Sequence, residues 1–393
     1  MVESIVEEEK LGSYFTALKV KAPLTKNKIS EFMMYPGEAY LSIGVKEIDK
    51  GPIKVWVDKD ETLNWHCLDI LNTKYRNGYL IRSIYYTGND LSFLKWSENR
   101  KVYFTWHPLE DENVDLTNSK IEEFHVNTDK KLTVKLGENQ RNFTYTGKSD
   151  NLCVKDLGSV YHLILNIDND KSLESCKLPH FGKFNQLERL VIYTNPNGCP
   201  LDCHSILQFK EIENLSLIGN FTNLEVLKEF TNLKELGFWD APNLEGLPPI
   251  SIFKDLTYFC ARNIMRDVGI NLRKEVNKLK KTNNMDFASV SSLRDEEWFK
   301  SEYGIPFNDW ENGSGKKATQ IYRKCLEAVK KAKTETELKT AVVEYTGKMN
   351  KLKNIESTER DDIYSALELI MKNAKVKIDY DIWFNWFEEF REF

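Results

Sequence analysis

The chain has 393 residues, 41% of them hydrophobic and 29% charged, with a formal net charge of −5. That length and apolar content suffice for two or three domains with cores, and the slight acidity gives no electrostatic case for a nucleic-acid partner. No apolar run approaches the ~18 residues of a membrane span, and the acidic start MVESIVEEEK lacks an apolar leader segment, so the expectation is a soluble, cytoplasmic protein with no membrane partner.

Residues 1–116 are rich in aromatic and β-branched types. Short runs at 53–57, 80–86 and 102–106 read as strands, with turn signals at Pro36-Gly37, Lys50-Gly51-Pro52 and Gly88-Asn89-Asp90. Val102, Phe104 and Trp106 alternate with Tyr103 and Thr105, the mark of a strand with one packed face. This part is expected to be a β-rich N-terminal region, either a domain or an irregular lead-in that covers the open end of a repeat array beginning near residue 117.

Residues 117–282 repeat a phrase: an apolar residue, two variable ones, an apolar residue, one variable, an apolar residue. Ile121-x-x-Phe124-x-Val126 is a first copy, and short strand runs follow at 132–136, 143–145 and 152–154, too closely spaced for a helix in each turn. The clear copies are Val160-x-x-Leu163-x-Leu165, Leu187-x-x-Leu190-x-Ile192, Ile212-x-x-Leu215-x-Leu217, Leu233-x-x-Leu236-x-Phe238 and Leu256-x-x-Phe259-x-Ala261. Their starts recur every ~21–27 residues, a spacing that resembles the leucine-rich repeat superfamily. The resemblance implies stacked strands, with Leu163, Leu190, Leu215, Leu236 and Phe259 in one buried column and Leu165, Ile192, Leu217, Phe238 and Ala261 in the next. Family members often place Asn after the strand to bond the turning backbone; Asn195 and Asn220 fit that place, Asp168 fits partly, and Ala241 and Ile264 do not.

Residues 265–282 carry Arg266, Arg273, Lys274, Lys278, Lys280 and Lys281 against Asp267 and Glu275, and read as a solvated basic helix closing the last repeat. Asn283-Asn284 and Asn312-Gly313-Ser314-Gly315 mark a linker over 283–315. From 316 to 393 the apolar period changes to that of helices. Thr334 with Glu337 forms a capping box, Ser357 or Thr358 can cap the next helix, and a last helix near 380–391 carries Trp383, Phe384, Trp386, Phe387 and Phe390. The expected fold is thus an α/β solenoid of the leucine-rich repeat kind, with a β-rich N-terminal region and an all-α C-terminal domain.

Within each phrase the variable residues point away from the core. The position after the third apolar residue holds Asn166, Tyr193, Ile218, Trp239 and Arg262; the position before the second holds His162, Arg189, Asn214, Glu235 and Tyr258. Exposed Trp, Tyr and Arg are enriched at binding hot spots, so Arg189, Tyr193, Ile218, Glu235, Trp239, Tyr258 and Arg262 are the expected contacts for a protein partner. The segment Glu356-Ser-Thr-Glu-Arg-Asp-Asp-Ile-Tyr-Ser-Ala-Leu, with the tail Phe390-Arg391-Glu392-Phe393, resembles the C-terminal ends of bacterial toxin-immunity proteins. That resemblance implies a toxin as partner, and Asp379, Asp381, Glu388, Glu389 and Glu392 against Arg391 favour a basic one. The alternative is an enzyme or effector that uses the repeats for targeting.

No catalytic, metal or cofactor residues are expected. Cys176-x-x-x-His180 and Cys199-x-x-x-Cys203-His204 have ligand types without the usual zinc spacing, and seven scattered cysteines fit reduced, buried thiols. Gly313-Ser-Gly-Lys-Lys lacks the first glycine of a phosphate loop, where Trp310 stands, and has Lys317 in place of Ser or Thr.

Overall fold

In an extended strand successive side chains face opposite ways, so an every-second-residue apolar pattern buries one face of a sheet. The computed structural model describes residues 4–11, 15–26, 28–35, 40–45, 53–59, 61–72, 82–169, 174–282, 285–301, 303–310 and 313–393. The expected turns at Pro36-Gly37 and Lys50-Gly51-Pro52, the first residues of the strand expected over 80–86, and Asn283, Asn284 and Asn312 lie outside them.

Strands β1 (Ile5–Leu11), β2 (Phe15–Ala22) and β3 (Ser30–Met34) form an antiparallel sheet in that order. They are followed by β4 (Tyr40–Val45), β5 (Val55–Val57), β6 (Ser83–Thr87), helix α1 (Ser92–Ser97), β7 (Val102–His107), β8 (Glu112–Asp115), β9 (Ile121–Asn127), β10 (Leu132–Lys135) and β11 (Asn142–Gly147). Next are β12 (Leu152–Gly158), β13 (His162–Ile167), β14 (Phe181–Phe184), β15 (Arg189–Thr194), β16 (Leu201–Asp202), β17 (Asn214–Ile218), β18 (Phe221–Thr222), β19 (Glu235–Trp239) and β20 (Tyr258–Met265). Helix α2 (Arg266–Thr282), β21 (Phe287–Arg294) and helix α3 (Glu296–Ser301) complete this part.

Among the described residues twelve strands make one sheet, in the order β21-β20-β19-β17-β15-β13-β11-β9-β7-β6-β4-β5, and its pairs are parallel. A four-stranded parallel sheet, β14-β12-β10-β8, is built from return segments between main-sheet strands. Its Val114, Leu132, Val134, Leu152 and Val154 share one core with the main sheet.

The register explains that core. Leu163, Leu190, Leu215, Leu236 and Phe259 are direct neighbours on successive strands, and so are Leu165, Ile192, Leu217, Phe238 and Ala261. Both columns run on toward the N-terminus, through Phe143, Phe124 and Phe104 and through Tyr145, Val126 and Trp106. Fully burying one such aliphatic side chain stabilises the fold by about 1.5–3 kcal/mol, and each of these residues is at most 1% exposed.

The expected fold class needs correction. An α/β solenoid of leucine-rich repeats, flanked by a β-rich N-terminal region and an all-α C-terminal domain, is not what the chain builds. It forms an α/β fold around one large, mostly parallel sheet with helices, and the sheet is not a closed solenoid. The N-terminal strands β4 to β7 pair directly into that sheet. Several return segments are short 3-10 turns, at Cys203–Phe209, Leu224–Glu229 and Ile250–Ile252, or strands of the second sheet. The physical reason is that a parallel ladder accepts any strand presenting an apolar face in phase, whether or not it carries the repeat phrase.

The stretch 283–315, expected as linker, holds β21, which pairs along its length with β20. The chain divides into compact units Met1–Phe299 and Lys300–Phe393, and the division falls inside α3, so a separate all-α domain is not evident. In the second unit lie α4 (Ser314–Lys331), α5 (Glu335–Met349), α6 (Ser357–Met371) and α7 (Tyr380–Phe390). Tyr322, Val329, Leu338, Tyr345, Ile363, Leu367, Trp386 and Phe387 fill its core. The Thr334–Glu337 capping box is present; at α6 the cap is Glu356 with Glu359, not Ser357 or Thr358. Within α7, Trp383, Trp386 and Phe387 point inward while Tyr380, Ile382 and Phe390 are exposed.

Candidate functional site

The polar half of the strand alternation produces an outward face with three rows running across the strands. One row reads Tyr193, Ile218, Trp239 and Arg262 on β15, β17, β19 and β20, each the direct neighbour of the next. Another reads Arg189, Asn214, Glu235 and Tyr258 on the same strands. All seven residues expected at a partner surface therefore share this face. Arg189 reaches across β17, its Nη2 lying 2.9 Å from Glu235 Oε2. Both side chains are about two-fifths exposed, so this exposed pair orients more than it stabilises. Tyr258 stacks on Phe287 of β21 with ring centroids 4.8 Å apart.

Exposure is uneven along the first row. Tyr193 is 44% exposed, whereas Ile218 and Trp239 are half-buried. The cause at Trp239 is Gly237 in the middle row: a Cβ placed there would come within 2.1 Å of the indole, so the ring lies across the glycine backbone. A flat aromatic face held against backbone loses little rotamer freedom when a partner covers it.

Toward the other end the face turns polar. A crevice of about 800 Å³ is lined by Thr87, His107, Asn127, Thr146, Asn166 and Tyr193, the last outward residues of six adjacent strands, with Lys59, Lys130, Lys148, Asp129 and Asp168 on the loops beyond. Sequence reading reaches only Asn166 and Tyr193 of these. A signal for the rest exists, because His107, Asn127 and Thr146 each follow a buried residue of an alternating run: Trp106, Val126 and Tyr145.

Further back on the same face, burial holds His125 and His162 below the ordinary histidine range. Glu123 opposes the shift at His125, and the Arg189 charge adds to it at His162. Both rings are therefore neutral at pH 7.

Cys176, Cys199 and Cys203 are buried, and burial followed by the neighbouring Cys199 pushes the Cys176 thiol up to about 12. Among the described residues no group of three His, Cys, Asp or Glu side chains is placed to hold a metal ion. The turn asparagine is Asn169 rather than Asp168. Its Nδ2 donates to the Asn195 and Cys199 carbonyls at 3.1 and 2.6 Å, and its Oδ1 accepts from the Asn195 N–H.

Asp202 caps the 3-10 turn that starts at Cys203. Burial works against its ionisation, but hydrogen bonds from Asn223 and from the His204 backbone and ring outweigh burial and bring the carboxyl from 3.8 down to about 2. A carboxyl depressed in the folded state contributes stability above its unfolded value and loses it as pH falls through the folded one. About 2 kcal/mol is therefore expected to disappear between pH 3.8 and about 2. Urea titrations at stepped pH check this; Asp202→Asn is expected to flatten that part of the profile.

Fold and site together define an α/β protein with a large parallel sheet, an aromatic outward face and a polar crevice at the carboxyl ends of its strands. No family model matches the chain, and neither the curated proteins nor the solved structures give a match. Among the described residues no helix is long and apolar enough to cross a membrane.

Proposed function

We propose that this chain is a protein-binding module rather than an enzyme, and that its partner lies across the outward face of the parallel sheet. The observation that carries the reading is the registered row Tyr193, Ile218, Trp239 and Arg262, backed by Arg189, Glu235 and Tyr258 across the middle row. Large aromatic and arginine side chains on rigid strands give contact area at low entropic cost. The net charge of −5 favours a basic partner. A toxin neutralised by complex formation is the partner class we infer, from the resemblance of residues 356–367 and 390–393 to immunity proteins.

The test is a comparison of captured partners from the native host, using the native chain and the double variant Tyr193→Ala/Trp239→Ala. A stoichiometric partner bound by the native chain is expected to bind the double variant more weakly by about 2 kcal/mol or more, roughly 30-fold. Tyr193 is exposed and Trp239 is half-buried on the outer side of the sheet, away from its core, so the double variant is expected to fold, with thermal melting as the check. Equal affinity of the two chains rejects the face.

A further inference from the structure

We propose that the crevice at the carboxyl ends of β6, β7, β9, β11, β13 and β15 is a second binding site, sharing only Tyr193 with the protein-partner row, and that it takes a neutral saccharide chain. Three observations converge on that ligand class.

The first is the lining. Thr87, His107, Asn127, Thr146, Asn166 and Tyr193 stand side by side at the ends of neighbouring strands. Hydroxyl and amide groups donate and accept alike, which is what a run of sugar hydroxyls demands. Six strands at about 4.8 Å spacing give a row roughly 24 Å long. An open row of that length suits an extended chain better than a compact cofactor. Tyr193, with 44% of its surface exposed, ends the row with an aromatic ring of the kind that packs on the apolar face of a pyranose.

The second is charge balance. The lysines of the rim are met by acids: Lys59 Nζ is 3.5 Å from Glu110 Oε1, Lys130 Nζ is 3.6 Å from Asp129 Oδ2, and Lys148 shares the lining with Asp168. A strongly anionic or cationic ligand thus gains little net attraction, while a neutral polar one suffers no repulsion.

The third is rigidity. The loops that close the crevice are tied to one another through backbone: Thr128 N–H donates to the Thr146 carbonyl at 2.9 Å, and Asp168 N–H donates to the Gly147 carbonyl at 2.9 Å. Asn166 Nδ2 donates to Thr146 Oγ1 at 2.9 Å, holding two adjacent lining side chains in place. A pre-ordered polar row forfeits little entropy on binding. The volume of about 800 Å³ falls within the range of ligand clefts.

The experiment is calorimetric titration of the full chain with neutral α- and β-glucan, mannan and chitin oligosaccharides, with heparin as the acidic control. At least one neutral probe is expected to bind with Kd below about 1 mM and with little dependence on salt. Asn127→Ala/Asn166→Ala is expected to weaken that binding at least tenfold, with thermal melting confirming that the variant folds. Trp239→Ala, which tests the protein-partner row, is expected to leave saccharide binding unchanged; the two proposals therefore fail separately. Three outcomes overturn this one: no neutral probe binds, the asparagine double variant binds like the native chain, or heparin binds in a salt-dependent way and the neutral probes do not.

Discussion

Replacing Trp65 by alanine is expected to destabilise the first unit by about 4 kcal/mol, the largest single-residue effect anticipated in this protein. Trp65 is 2% exposed and stands at the centre of an aromatic cluster. Its ring centroid lies 5.2 Å from Tyr86, 6.1 Å from Phe93, 5.8 Å from Trp96 and 5.8 Å from Phe104. Truncation to alanine removes the transfer energy of the indole and leaves a cavity that four aromatic rings cannot close together. The loss has a polar part as well. Trp65 Nε1 donates to Asp90 Oδ2 at 3.1 Å, in a network where Asp90 also accepts from Leu63 N–H and Ser92 Oγ. Trp65→Phe separates the two parts, since it keeps most of the apolar contact and is expected to cost about 1–2 kcal/mol. Urea unfolding of both variants measures the difference; an alanine variant within about 1 kcal/mol of the native chain contradicts this packing.

The second large effect is expected at Gly147. Its φ of +154° lies where side-chain-bearing residues are strained. A Cβ built there comes within 2.2 Å of the Thr128 carbonyl oxygen and 2.7 Å of the Tyr145 hydroxyl. The carbonyl belongs to backbone and has little room to retreat, because the Thr128 N–H is bonded to the Thr146 carbonyl. Backbone strain of about 1–3 kcal/mol and overpacking of a similar size give an expected loss of about 3 kcal/mol for Gly147→Ala. Gly147 also lines the crevice, so the substitution is expected to slacken the middle of the row, at β9 and β11, and weaken saccharide binding. Equilibrium unfolding and the same titration read both effects. Native-like stability in the alanine variant contradicts the close approach.

Particular residues show how far the sequence reaches on its own. A phrase of six residues places Leu190, Leu215 and Leu236 side by side, and they pair directly. Inside and outside of a strand are local properties: once one position is apolar, the next must face away. The seven partner-face residues come from the same rule and share one face. The crevice escapes such reading because its lining comes from six strands, four of them outside the clear repeats, where only the outward residue of each alternating run marks its place. The phrase also predicts an exposed ring at Trp239. The indole instead lies across Gly237, a contact between residues two apart that depends on one missing Cβ and not on any pattern of apolar residues.

Local pattern alone places the buried side chains of the repeat strands, the capping box that opens α5, and the rows of residues that point outward. Each of these depends on side-chain spacing along a few consecutive residues. Packing between distant segments brings β4 to β7 into the same sheet as the repeats, adds β21 from within the expected linker, and makes six strand ends enclose a crevice. The reason is physical. The ladder between two strands is made by backbone N–H and C=O groups that every non-proline residue carries alike. The choice of neighbour is therefore settled by how whole apolar faces pack together, across loops that no local pattern spans.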